Sequence, residues 1–160
     1  MKALFSNIVV AVSGSDASIN AARFAIMMGK QYQCKVTAVY VVDTATLRQL
    51  LLTRIFIEEE SREYQQSLLE NGRRYLQFVT EMAAEKGVII DSVLREGAIY
   101  TEILKVAEER KAELILLGGW ESRRDQRDSI SVAHREILYY ARCSVLIVKE
   151  RDVEQLFKSS

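Results

Sequence analysis

The chain has 160 residues, enough for one domain with a conventional core but not for two. Its 22 basic and 22 acidic residues cancel, which excludes the broad positive field of a dedicated nucleic-acid binder or a basic membrane-surface protein. A single histidine excludes a histidine-rich metal site, and with no proline there is no proline-marked turn or helix break.

The opening MKALFSNIVVAVSGS reads as the approach to a first strand rather than a secretory signal. No stretch approaches the length of a membrane-spanning helix, so a cytoplasmic location with no membrane partner is expected. Phe5 to Val12 is short, apolar and β-branched apart from Ser6 and Asn7, as in a strand buried on both faces. Ser13, Gly14, Ser15 and Asp16 make the turn. Ser15 or Asp16 then caps a helix whose buried stripe includes Ala21, Phe24, Ala25 and Met28.

Lys35 to Val42 gives a second strand, rich in valine. After Asp43, the residues Leu47, Leu50, Leu51, Ile55 and Ile57 form an apolar patch ahead of Glu58, Glu59 and Glu60. Packing of this patch over the sheet is expected, with a second interface as the other reading. From Tyr64 the stripe Leu68, Tyr75, Leu76, Val79, Met82 and Ala83 recurs at helical spacing until Gly87.

Val88 to Leu94 reads as a third strand, followed by Gly97 and a helix with Ile99, Ile103, Val106 and Ala107 on one face. Leu114 to Leu117 is a short strand entering Gly118 and Gly119. Beyond a charged loop, Ser131 caps a helix containing Ala133, Ile137 and Ala141, and Val145 to Val148 forms the last strand. The residues after Lys149 are a polar tail, in which Val153, Leu156 and Phe157 could dock as a short helix. Domain boundaries of 1–149 and a tail of 150–160 follow. Five strands alternate with about four helices. The fold class is therefore α/β: a single-domain open parallel five-stranded sheet with helices on both faces.

In such a sheet ligands bind beyond the carboxyl ends of the strands, where connections diverge. The Ser13–Asp16 turn and the Gly118–Ser131 loop both lie at that edge. Their glycines permit close backbone approach and the following helix starts offer amides to an anion, yet glycines ending strands and serines capping helices are ordinary in this fold class. Neither G-x-x-x-x-G-K-[ST] nor spaced dinucleotide glycines are present, and a lone His134 makes no nucleophilic triad. Arg123, Arg124 and Arg127 are candidate phosphate contacts, although Glu121, Asp125 and Asp128 can pair with them. Trp120 suits base stacking or ordinary packing. Cys34 and Cys143 lie far apart without a CxxC pattern and read as buried or half-buried thiols, so no metal is assigned.

Over Phe5 to Val148 the chain resembles the universal stress protein family. NIVVAVSGSDASINAARFA is similar to the family's strand, D-G-S turn and alanine-rich helix; VTAVYVVD, the segment from Gly97 and ILYYARCSVLIVKE match in character and order. The resemblance implies an adenine-nucleotide alpha-hydrolase-like fold and a stress-response role. It also implies a homodimer paired through Ser144, Val145, Leu146, Ile147 and Val148. In nucleotide-binding members an aspartate follows the first strand, and a G-x-x-G with a later G-[ST] holds phosphate. By that correspondence Val12, Ser13 and Val41 frame the nucleoside, with Leu117, Gly118, Ser131 and Val132 on the phosphate side. Ser13 replaces the aspartate, Glu121 and Ile130 replace two glycines, and the run between them is one residue short of the family spacing. A carboxylate at Glu121 repels phosphate and Ile130 crowds the backbone.

The resemblance therefore points to the branch that does not bind ATP. The expected protein is a homodimeric regulatory or scaffold module, acting through a regulatory protein partner, with no favoured cofactor and no catalytic residues assigned. An adenine-nucleotide sensor for ATP or AMP, with Mg2+ for a polyphosphate, is the alternative. Weak ATPase or phosphotransfer activity is a third reading.

Overall fold

The structure, a computed structural model, describes residues 3–119, 129–149 and 151–160, with side chains from Val132 onward in the second stretch. The elements in chain order are β1 (Asn7–Val12), α1 (Asp16–Tyr32), β2 (Lys35–Asp43), α2 (Thr44–Leu52), α3 (Glu58–Glu85), β3 (Ile90–Gly97), α4 (Ile99–Glu109), β4 (Leu114–Gly118), α5 (Ser129–Tyr140), β5 (Ser144–Val148) and α6 (Val153–Ser159). The strands form one sheet in the order β3-β2-β1-β4-β5, with every neighbouring pair parallel.

Alternation along each strand divides the core in two. Ile8, Val10, Ala38, Val42 and Leu116 face α1, α3 and α6, while Val9, Val39, Ile115 and Leu117 face α4 and α5. Each fully buried valine, isoleucine or leucine contributes about 1.5–3 kcal/mol relative to exposure. Helices on both faces explain why these strands read as unbroken apolar runs.

The five parallel strands match the sequence expectation, but several bounds move. β3 begins at Ile90 and runs to Gly97, whose φ of 146° suits glycine. Among the described residues the helices number six rather than about four. α3 starts at Glu58, ahead of Tyr64, because the three glutamates occupy its first turn and complement the helix dipole. The apolar segment from Leu47 does not pack over the sheet as a unit: Leu47 is buried, whereas Ile55 and Ile57 are exposed. The chain after Lys149 folds as α6, and Val153 and Phe157 join the core while Leu156 stays exposed. Lys86 helps hold this helix, its Nζ 4.8 Å from the Phe157 ring centre and donating to the Ser160 carbonyl at 3.0 Å.

Gly72 lies in the middle of α3, where glycine ordinarily costs about 1 kcal/mol relative to alanine. A Cβ there would lie 2.7 Å from Tyr40 Cδ1 and 2.8 Å from Leu94 Cδ1. The missing side chain lets α3 sit down on β2 and β3.

Candidate functional site

β1 and β4 are adjacent, yet their connections leave in opposite directions: β1 continues through α1 to β2, and β4 through α5 to β5. Such a divergence, at the carboxyl edge of an open parallel sheet, is where ligands ordinarily bind. The Ser13–Asp16 turn borders it on one side and Gly118–Gly119 on the other.

The turn after β1 is organised by three hydroxyls. Ser15 caps α1, its Oγ accepting from the Ser18 amide at 3.1 Å. Ser18 Oγ accepts from the Ser13 amide at 3.0 Å, and its hydroxyl donates to the Ser15 carbonyl at 2.9 Å. Ser13 Oγ lies 3.1 Å from Ser15 Oγ. Sequence reasoning found Ser15 as a cap but missed Ser18, which is buried and ties the turn to α1. The spacing of serines at 13, 15 and 18 was the available signal. The Ser13 hydroxyl can accept or donate at this edge, but its alternative partner is Ser15.

Gly118 has a structural requirement of its own. A Cβ on it would lie 2.5 Å from the Ala17 carbonyl carbon and 2.7 Å from the Ser18 amide nitrogen. Only glycine lets β4 pass beneath the first turn of α1. Gly119 donates its amide to the Val148 carbonyl at 2.9 Å, linking the exits of β4 and β5. Gly14 faces the Tyr75 ring at 3.1 Å from where a Cβ would stand, and Tyr75 stacks on Tyr40 with centroids 6.4 Å apart. Burial, reinforced by Tyr75 and Tyr64, pushes the Tyr40 hydroxyl pKa up.

The predicted site residues are only partly brought together. Ser13 and Gly118 are brought together through Ser18, whose Oγ accepts from the Ser13 amide and whose backbone lies against Gly118. The Val12 and Leu117 side chains are in opposite core layers, so any ligand contact from them is through backbone. Val41 is half-buried toward the α4 side and Val132 is exposed. Ser131 lies inside α5, which starts at Ser129, and is not its capping residue. Arg123, Arg124 and Arg127, together with Trp120 and Glu121, lie outside the described residues.

Among the described residues, no three His, Cys, Asp or Glu side chains gather as a metal set. Burial raises the pKa of both Cys34 and Cys143, which keeps them as thiols rather than reactive thiolates. His134 is half-buried on α5, and desolvation lowers its pKa. No described helix is long and apolar enough to cross a membrane.

An open parallel sheet whose connections diverge at β1 and β4 defines an α/β protein of the adenine-nucleotide alpha-hydrolase-like fold. The model of the universal stress protein family matches residues 4–149, and the chain belongs to that family. A universal stress protein of Methanocaldococcus jannaschii is 35% identical over 148 residues, covering 92% of this chain and 84% of that protein. A universal stress protein family structure from Burkholderia pseudomallei has a TM-score of 0.72 at 23% identity, covering 94% of this chain and 100% of the other. The Archaeoglobus fulgidus universal stress protein in complex with dAMP has a TM-score of 0.62 at 18% identity, covering 91% and 99%. Likeness at these structural identities is likeness of fold.

Proposed function

We propose that this chain is a cytoplasmic, homodimeric regulatory module of the stress response, acting on a protein partner without a catalytic cycle of its own. One observation carries the reading: β5 is an edge strand with β4 as its one neighbour, and Val145, Leu146 and Ile147 along it are only half-buried. An apolar edge of this kind invites pairing with another strand. α5, which leads into β5, adds exposed Leu138, Tyr139 and Tyr140, and aromatic residues are favoured at interfaces. Light scattering of the full chain is expected to give at least a dimer, and Ile147→Asp to lower that mass with the fold intact. A wild-type monomer at all concentrations would overturn the reading.

A second reading, adenine-nucleotide binding, is supported by the dAMP complex of the Archaeoglobus fulgidus relative and by the Ser13 hydroxyl at the exit of β1. A nucleoside monophosphate is the form in that relative's complex, so AMP is the first ligand to test. Calorimetric titration with AMP and ATP, each with and without Mg2+, separates the readings. Saturable AMP binding at or below about 100 μM favours the nucleotide sensor, and its absence favours the protein-only module.

A further inference from the structure

The turn joining α2 to α3 presents an apolar surface at the opposite end of the sheet from β5. Leu52, Ile55 and Ile57 are 76%, 65% and 60% exposed. Phe56 rests edge-on against Tyr64, with centroids 5.8 Å apart. The turn is held by backbone bonds: the amides of Ile55 and Phe56 both donate to the Leu50 carbonyl, at 2.9 and 3.2 Å, and that of Arg54 donates to the Leu51 carbonyl at 3.1 Å. Consecutive large apolar residues displayed on such an ordered turn mark an interaction surface.

The charges around the patch indicate its occupant. Arg48 lies on α2, Arg54 in the turn just before Ile55, and Glu58, Glu59 and Glu60 on the first turn of α3; all five are exposed. None of them forms an ion pair among the described residues. With basic residues before Ile55 and Ile57 in the chain and acidic ones directly after them, each copy carries both charges that a second copy can meet. Under a two-fold axis the arginines of each copy meet the glutamates of the other, while the isoleucines meet at the centre. The same glutamates would be repelled by an anionic lipid surface.

We propose that the α2–α3 turn is a second self-association interface, through which two copies of this chain pair by Leu52, Ile55 and Ile57 and by reciprocal contacts of Arg48 and Arg54 with Glu58–Glu60. With β5 at the far end of the sheet, two such two-fold contacts link dimers into a tetramer or a longer chain, depending on whether the axes close. Three exposed apolar side chains form its centre, where a standard interface draws on about 20–30 residues a side, so this contact is the weaker of the two.

Sedimentation of the full chain from about 1 to about 100 μM tests the proposal. The wild type is expected to rise above dimer mass, and Ile55→Ser/Ile57→Ser to stop at the dimer. Ile147→Asp should retain a weak dimer made through the turn, and all three substitutions together should give a monomer. Failure of Ile147→Asp to change the mass counts against β5 pairing and leaves the turn interface standing. Glu58–Glu60 also suit the start of α3 within a single chain, so a charge arm isolates their role between copies. Arg54→Glu and Glu58→Lys should each weaken association about tenfold, and an equimolar mixture of the two variants should restore it. Equal masses for the wild type and Ile55→Ser/Ile57→Ser at every concentration would assign the face to another partner and overturn the proposal. So would a mixture that fails to restore association.

Discussion

Gly118 passes so close to Ala17 that a β-carbon on the glycine would lie 2.5 Å from the Ala17 carbonyl carbon. The obstruction is backbone on both sides, so no side-chain rotation relieves it. Gly118→Ala is expected to push α1 off β4 and to lower stability by about 1–3 kcal/mol or more. Urea unfolding measures this, and a loss below about 0.5 kcal/mol would mean that the helix can move without cost.

Gly72→Ala sets two effects against each other. Alanine improves helix propensity by about 1 kcal/mol, but its methyl group meets Tyr40 and Leu94 below 3 Å. Displacing a packed aromatic ring costs more than the propensity gain, so net destabilisation of about 1–2 kcal/mol is expected. A stabilised variant in a thermal melt would show that Tyr40 repacks freely.

The serine turn should behave as one unit. Ser18→Ala leaves the Ser13 amide without the Oγ acceptor it now uses and is expected to cost about 1–3 kcal/mol. Ser15→Ala removes the cap, at about 1 kcal/mol. Because the two hydroxyls share partners, the double variant should cost less than the sum, with a coupling of about 0.5 kcal/mol or more in a double-mutant cycle. Strict additivity would dissolve the network into separate contacts.

Ser13→Asp places a carboxylate at the exit of β1. If adenine nucleosides bind there, a charged hydrogen bond to the ribose is worth about 1.5–3 kcal/mol, roughly tenfold or more in affinity. Calorimetry with adenosine and AMP reads the change, and equal affinities for wild type and variant would remove position 13 from the site.

His134 gives the fold a pH dependence with a definite sign. Burial holds its folded pKa below the ordinary 6.5, so at intermediate pH the unfolded chain binds more protons than the folded one. The stability that comes from keeping the ring neutral is complete above the unfolded value and is lost as pH falls from there toward the lowered folded value. Between about pH 7.5 and pH 5.5 the wild type should lose more stability than His134→Gln. Parallel losses in the two proteins would place the ring in a more solvated setting.

Local periodicity made the sheet legible. Val9 and Val10 in an unbroken β-branched run indicate a strand covered on both faces, and both are buried on opposite sides. Gly118 was legible as a glycine shaping the strand exit, but its contact with Ala17 was not, since that joins residues distant in sequence. Ile55 and Ile57 were read toward the interior because hydrophobicity states what can be buried, not what the chain has a surface to bury it against. The start of α5 was misplaced because the apolar spacing of Ala133 and Ile137 marks a helix's buried face and not its first residue. Ser13, Ser15 and Ser18 were visible as residues, whereas their mutual bonds depend on how sharply the chain turns into α1.

The hydrogen bond from the Gly119 amide to the Val148 carbonyl gives the molecule a mechanical connection. Gly119 is the last described residue before the segment 120–128, and Val148 ends the strand proposed to pair between copies. A β-carbon on Gly119 would stand 2.8 Å from that same carbonyl oxygen, so the two backbones are held nearly in touch. Any sliding of β5 when a second strand is added beside it therefore pulls directly on the exit of β4, with no side chain in between.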